Sequence, residues 1–322
     1  MVRWGGGVSF FERFNDLFAG DDALKAKMWE REVTFERFDL FYWPTFNYGD
    51  KKNLNSSRVF SEITSYIKGG KDTMGTNLSQ DAYLALSENQ GTSLSKKQRK
   101  IINRIYQRYE KMKIDKREFD LADIVADIHL RLKSNRYEGD AMHYVYMDEV
   151  QDFTLSQIAL FKHICQNVEE GFTFCGDTAQ TITKGVDFRF QDIKSFFYST
   201  FHNGNNPVKT KTLQLTQNFR SHDGVLKLSH TAINLLYHFF PDSIDFLKPE
   251  TSLLCGEAPA VLDCGNSKDA IATIFGKSVG FGAEQVILVR DDSAWKEILA
   301  SVKEKAIVLT IWECKGLEFK VA

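Results

Sequence analysis

The five cysteines, Cys165, Cys175, Cys255, Cys264 and Cys314, contain no Cys-x-x-Cys pair, and their number is odd. That pattern argues against a disulfide framework and against a zinc site, and points to free thiols in a reducing compartment. An intracellular protein, nuclear or cytoplasmic, is therefore expected. No apolar run approaches the ~20 residues of a membrane span, so no membrane partner is expected. The opening stretch, MVRWGGGVSFFERF, lacks a signal-peptide core and a cleavage pattern. It also lacks an obvious structural start, which leads us to expect further domains of a longer parent protein. Neither sign of charge dominates. With a net charge of -2, any nucleic-acid surface must come from local clustering rather than bulk charge.

The chain does have a core to build. Its 322 residues suffice for two domains, and an apolar fraction of 43% can fill them. Residues 8 to 48 are rich in aromatics. The spacing of Phe11, Phe14 and Phe18 predicts a core-facing helix, favoured over a base-stacking platform. Residues 69 to 95 are polar and read as loops around a short helix. Residues 96 to 117 hold ten Lys or Arg against two acids, with Ile101, Ile102, Ile105, Tyr106 and Tyr109 in a stripe at helical spacing. This is an amphipathic basic helix. It is either a solvated face or a surface that tracks phosphates through residues such as Lys96, Lys97, Arg99, Lys100, Arg104, Arg108 and Lys111.

Beyond about residue 140, short β-prone runs alternate with helical ones, which predicts an α/β fold with a parallel sheet and helices on its faces. The expected strands are Tyr144–Met147, Phe172–Cys175, Leu213–Leu215, Val286–Val289 and Ile307–Leu309. Helices are expected over LSQIALFKHICQNV, from Leu155 to Val168, and over VLKLSHTAINLLYHFF after the third strand. The strands end on polar clusters: Asp148-Glu149-Val150-Gln151-Asp152, Gly176-Asp177-Thr178-Ala179-Gln180, Gln217-Asn218-Phe219-Arg220 and Lys315-Gly316-Leu317-Glu318. Ligands of open α/β sheets bind outside the carboxyl ends of the strands, so the clusters describe one polar site.

The chemistry suggested is phosphoryl transfer. A strand-end aspartate can hold Mg2+ through its waters. The adjacent carboxylate can orient or deprotonate an attacking water, while an arginine and an amide stabilise charge on a γ-phosphate. Asp152 has a plainer reading as a cap of the following helix.

At these residues the chain resembles the superfamily 1 helicases of the UvrD/Rep type, over roughly residues 140 to 322. DEVQD resembles their Walker B box, GDTAQTI their next motif, LTQNFRS their L-x-x-N-Y-R-S box and TIWECKGLEF their T-x-H-x-x-K-G-L-E-F box, with VILVRDD as the strand between the last two. The order matches the family, and the likeness extends to large eukaryotic UvrD-like proteins with TPR and ankyrin repeats. The resemblance implies RecA-like parallel sheets in two lobes. Residues 1–139 would be a mostly helical accessory part of the first lobe, 140–208 the first lobe itself and 209–322 a truncated second lobe, with the lobe boundary near residues 205 to 215. It implies ATP and Mg2+ as cofactors and single-stranded DNA or RNA as partner. Asp148 would hold Mg2+ and Glu149 would be the catalytic base. Gln151 and Gln180 would contact the γ-phosphate or its water, and Arg220 would be a γ-phosphate arginine. Glu318 would reach the ribose, with Asp177 and Gly316 in the nucleotide-binding set. Thr310 and Lys315 would lie nearer the nucleic acid, Phe188 would stand in for a stacking aromatic replaced by Thr183, and the basic helix would border the strand path.

The chain departs from the family pattern at its start and end. No G-x-x-x-x-G-K-[ST] phosphate loop precedes DEVQD. Gly276-Lys277-Ser278 has Ile271 where the leading glycine belongs, and Gly70-Lys71-Asp72 lacks the hydroxyl. The family's final arginine motif has no counterpart before Ala322. Arg220 and Lys315 are only 95 residues apart, too close for the large second-lobe insertion of bacterial members. Three readings follow: an ATP-dependent helicase or translocase, a degenerate helicase-like scaffold that binds nucleic acid or protein without hydrolysing ATP, and a metal nuclease built on Asp148, Glu149, Asp152 and Asp177. The last leaves Arg220, Gln180 and KGLEF unexplained.

Overall fold

The computed structural model describes residues 30–89, 94–135, 137–181, 189–201, 210–241, 244–263, 286–302 and 306–317. The aromatic helix around Phe11, Phe14 and Phe18, together with Thr183, Phe188, Gly276-Lys277-Ser278 and Glu318, lies outside them. The described residues combine helices with three separate two-stranded parallel pairs, an α/β fold. The chain divides into two compact units, 1–212 with 239–246, and 213–238 with 247–322.

The first unit opens with helices. α1 (Ser56–Ser61) runs into a π-helical turn (Glu62–Ile67), and α2 (Gln80–Asn89), α3 (Lys96–Lys116) and α4 (Leu121–Ser134) follow. The stripe expected on the basic helix is its buried face: Ile102, Ile105, Tyr106 and Tyr109 pack with Phe38, Tyr42, Val59, Ile63 and Tyr83. Ser95 and Gln98 form a capping box at its start. Phe38 and Tyr42 are fully enclosed, so these two aromatics serve the core.

Arg99 corrects one expectation for this helix. Its side chain is fully buried, 3.3 Å from the Glu62 carboxylate and 4.8 Å from the Tyr83 ring, so it cannot track phosphates. Arg104 pairs with Asp50 at 2.7 Å. Lys96, Lys97 and Lys100 are exposed.

Between α3 and α4 lies a buried ion network. Asp120, 1% exposed, receives hydrogen bonds from the Lys68 and Lys113 ammonium groups, each at 2.7 Å, and from the Tyr109 hydroxyl at 3.0 Å. The same carboxylate caps α4, accepting from the Asp123 N–H at 3.1 Å. Burial acts to raise the Asp120 carboxyl, but the two ammonium groups outweigh it and hold the carboxyl well below its usual range. Glu110, Asp120 and Asp123 bring their carboxylates close enough to hold a cation. The lysines already occupy that role.

β1 (Val145–Met147) and β2 (Phe172–Phe174) pair in parallel, Val145 opposite Phe172 and Met147 opposite Phe174. α4 and α5 (Leu155–Leu160) contribute Ile124, Val125, Ile128, Ile158 and Leu160 to the core around this pair, and α6 (Phe190–Thr200) contributes Ile193, Phe196 and Phe197. The helix expected to reach Val168 ends at Leu160 and passes through a 3-10 turn, Phe161–His163. The reason is tertiary. Met142 N–H donates to Ile164 O and Gln166 N–H donates to Met142 O, both at 2.7 Å, which draws 164–166 out of the helix into a parallel bridge.

In the second unit, β3 (Gln217–Asn218) pairs with β4 (Thr251–Ser252), and α7 (Asp223–Phe239) follows β3. The strand expected at Leu213–Leu215 does not form there. Leu213 and Leu215 are exposed, and the ladder begins where Thr251 N–H reaches Thr216 O at 2.7 Å. β5 (Val286–Val289) and β6 (Ile307–Thr310) pair in parallel under α8 (Asp292–Val302), whose Trp295 indole donates to Val308 O at 3.0 Å.

Candidate active site at the strand ends

Asp148 follows β1 directly and is exposed; its Oδ1 accepts the Glu149 N–H at 3.0 Å. Glu149 turns the chain through the left-handed region, φ 52° and ψ 39°, an uncommon place for a residue with a Cβ. A 3-10 turn over Val150–Asp152 follows. Asp152 does not cap α5. Thr154 does, in a capping box with Gln157, whose Oε1 accepts the Thr154 N–H at 2.7 Å. The amide of Ser156 donates to Gly69 O at 3.0 Å and the buried His129 ring donates to Ser156 O at 2.8 Å. The element behind the acidic turn is thus anchored from two sides.

At the end of β2, Cys175 N–H donates to Met147 O and Val150 N–H donates to Cys175 O, at 2.7 and 2.9 Å. The two strand ends stay paired past the ladder, which sets DEVQD beside GDTAQ. Gln151 is fully buried between them. Its Nε2 donates to Glu149 Oε2 at 2.5 Å, and its Oε1 accepts the Asp177 N–H at 3.1 Å. A Cβ on Gly176 would stand 2.3 Å from that Oε1, so only glycine allows the approach. Asp177 caps the next 3-10 turn through Ala179 N–H and accepts from Gln180 Nε2, both at 2.9 Å. The first unit therefore brings Asp148, Glu149, Gln151, Asp177 and Gln180 together.

The remaining residues sit in the second unit. Arg220 is exposed; its N–H and that of Ser221 donate to Asn218 Oδ1 at 2.8 Å, while Asn218 Nδ2 donates to Glu250 at 2.7 Å. A polar turn thus presents the arginine. Thr310, at the end of β6, is buried. Its hydroxyl and N–H donate to Glu313, at 3.0 and 2.9 Å, and the Thr310 N–H foremost lowers the Glu313 carboxyl. Gly316 adopts φ 78° in the turn that carries Lys315. Sequence reasoning missed the Gln151 bridge and its dependence on Gly176. The glycine directly before Asp177 was the available signal.

A cation fits the first-unit set by donor chemistry, because an exposed strand-end carboxylate suits Mg2+ held largely through water. The 322-residue sequence contains no G-x-x-x-x-G-K-[ST] phosphate-loop pattern.

The family model of the UvrD/REP helicase N-terminal domain matches residues 26–203. TPR and ankyrin repeat-containing protein 1 of Homo sapiens is 35% identical over 300 residues, which cover 89% of this chain and 10% of that protein. The chain thus spans about a tenth of that relative's length. Among the described residues no helix is long and apolar enough to cross a membrane. With the family model matched over more than half of its length, the chain belongs to the UvrD/Rep helicase family.

Proposed function

We propose that this chain carries the water-activating part of a nucleic-acid-dependent ATPase of the helicase or translocase type, built on RecA-like lobes. The observation that carries the reading is the pairing of DEVQD and GDTAQ at adjacent parallel strand ends, where Gln151 bridges them. Asp148 would hold Mg2+, which when bound neutralises phosphate charge. Glu149 would orient and deprotonate the attacking water, with Gln180 beside it. Arg220 would stabilise charge on the γ-phosphate, and Glu318 and Gly316 would belong to the nucleotide side. Thr310, Lys315 and Phe188 would contact single-stranded DNA or RNA.

The test is direct. Without a phosphate loop, the triphosphate is neither cradled nor neutralised, so the purified 322-residue chain should hydrolyse ATP only at trace rates. Turnover at ~1 per second or more, ordinary for an enzyme, would overturn the phosphate-loop requirement. The missing G-x-x-x-x-G-K-[ST] also favours a second reading, a helicase-like scaffold that binds without turnover. Fusing a phosphate loop upstream separates the two, because a scaffold stays inactive.

The exposed lysines of α3 offer a further test. If Lys96, Lys97 and Lys100 bind phosphates, removing any one of them should flatten the salt slope of single-strand binding by ~0.7, and removing all three by about 2. Charge reversal at the three, with labelled oligonucleotide titrated at several salt concentrations, reads this out. An unchanged slope would return the helix to a solvated face.

A further inference from the structure

We infer that Gln151 is a positioning residue that locks the Glu149 carboxylate and the Gly176–Asp177 turn into one unit, and not itself a phosphate ligand. The inference rests on the reading of Glu149 as the base. Both polar ends of the Gln151 amide are engaged inside the protein, and the side chain is fully buried. Its orientation is chemically determined. A backbone N–H can only donate and an ionised carboxylate can only accept, so Oε1 must face Asp177 and Nε2 must face Glu149.

No other residue type satisfies both partners from this position. Methionine fills similar space but offers neither bond. Glutamate keeps an acceptor for Asp177 and sets a second carboxylate against Glu149. The approach needs Gly176, because a Cβ there would meet Gln151 Oε1 at 2.3 Å. Cys175 ties the same segment to Val150 through the backbone, at 2.9 Å. A shift of the turn that carries Gln180 must therefore pull on Gln151, and through it on Glu149. In this way Gln151 relays the state of the GDTAQ turn to the base.

The experiment uses the whole chain, isotopically labelled, and reads amide exchange and side-chain couplings by NMR. In Gln151→Met the Asp177 amide should exchange about tenfold faster, the loss of one hydrogen bond. Amides of α3, which lies in the same unit, should keep wild-type protection, which separates this effect from unfolding of that unit. In Gln151→Glu the Asp177 amide should stay protected, because an acceptor remains for it, while the Glu149 side chain, its donor gone, should lose its single fixed rotamer and show averaged side-chain couplings. This variant keeps the test alive if Gln151→Met does not fold. Wild-type exchange at Asp177 in Gln151→Met, or wild-type Glu149 side-chain couplings in Gln151→Glu, would overturn the inference. If both effects occur but Glu149 proves dispensable for turnover, the lock stands and the role of Glu149 as base fails.

Discussion

Replacing Asp120 with alanine is expected to destabilise the first unit by about 3 kcal/mol, a large fraction of the ~5–15 kcal/mol that keeps an ordinary domain folded. The size follows from what remains. Lys68 and Lys113 are 2% exposed or less, and each loses its closest buried partner. Both lysines then rely on Asp123 and Glu110, which are partly exposed, and an under-compensated buried charge costs more than the pair itself contributes. The same change strips the cap from α4, worth a further ~1 kcal/mol. Arg104→Ala is the control. Its bond to Asp50 is as short, at 2.7 Å, but the arginine side chain is 65% exposed, so less than about 1 kcal/mol should be lost. Urea unfolding of both variants checks the contrast. The pH dependence has a definite sign. Asp120 is depressed in the folded state from an ordinary 3.8, so its stabilisation is complete above about pH 4 and declines only as pH falls below that value. Loss of stability between pH 7 and 5 would have to come from other groups.

Glu149→Gln should lower turnover by about 10²–10⁴-fold, the usual contribution of a general base, in a form of the protein with a phosphate loop upstream. ATP binding should survive, because the amide preserves size and hydrogen bonding. Its carbonyl oxygen can still accept from Gln151 Nε2, so the bridge between the two side chains is kept. Asp148→Asn should weaken the Mg2+ dependence instead. Single-turnover hydrolysis and nucleotide titration across a Mg2+ series distinguish the two variants. Equal turnover in Glu149→Gln and wild type would mean that the base is elsewhere.

The closeness of DEVQD and GDTAQ was legible because both clusters follow short β-prone runs and carry distinctive chemistry. β1, β2, β5 and β6 could be read from short β-prone runs that finish on carboxylates or a threonine. β3 and β4 could not, since two-residue strands carry no period to detect. The early stop of α5 was invisible for a different reason. Periodicity continued through Ile164 and Val168, and a bridge to Met142, more than 20 residues back, overrode it. Arg99 shows the limit of counting charges, because its burial is decided by Glu62 on a separate element. Gln151 drew attention by type and place, as a contact of the γ-phosphate or its water. What it holds depends on the Asp177 backbone 26 positions away, and no local pattern records that.

The left-handed backbone at Glu149 gives position 149 two opposed optima. Glycine or asparagine adopts that conformation at less cost than a residue with a long side chain, by roughly 1 kcal/mol. Against that gain stands the acceptor that the buried Gln151 amide uses at 2.5 Å, because a small residue at 149 would leave a buried donor without its partner at a cost of about 1–3 kcal/mol. A small residue at 149 would thus relax the backbone and release the GDTAQ turn at once, so one position sets both the shape of this strand end and its tie to the neighbouring one.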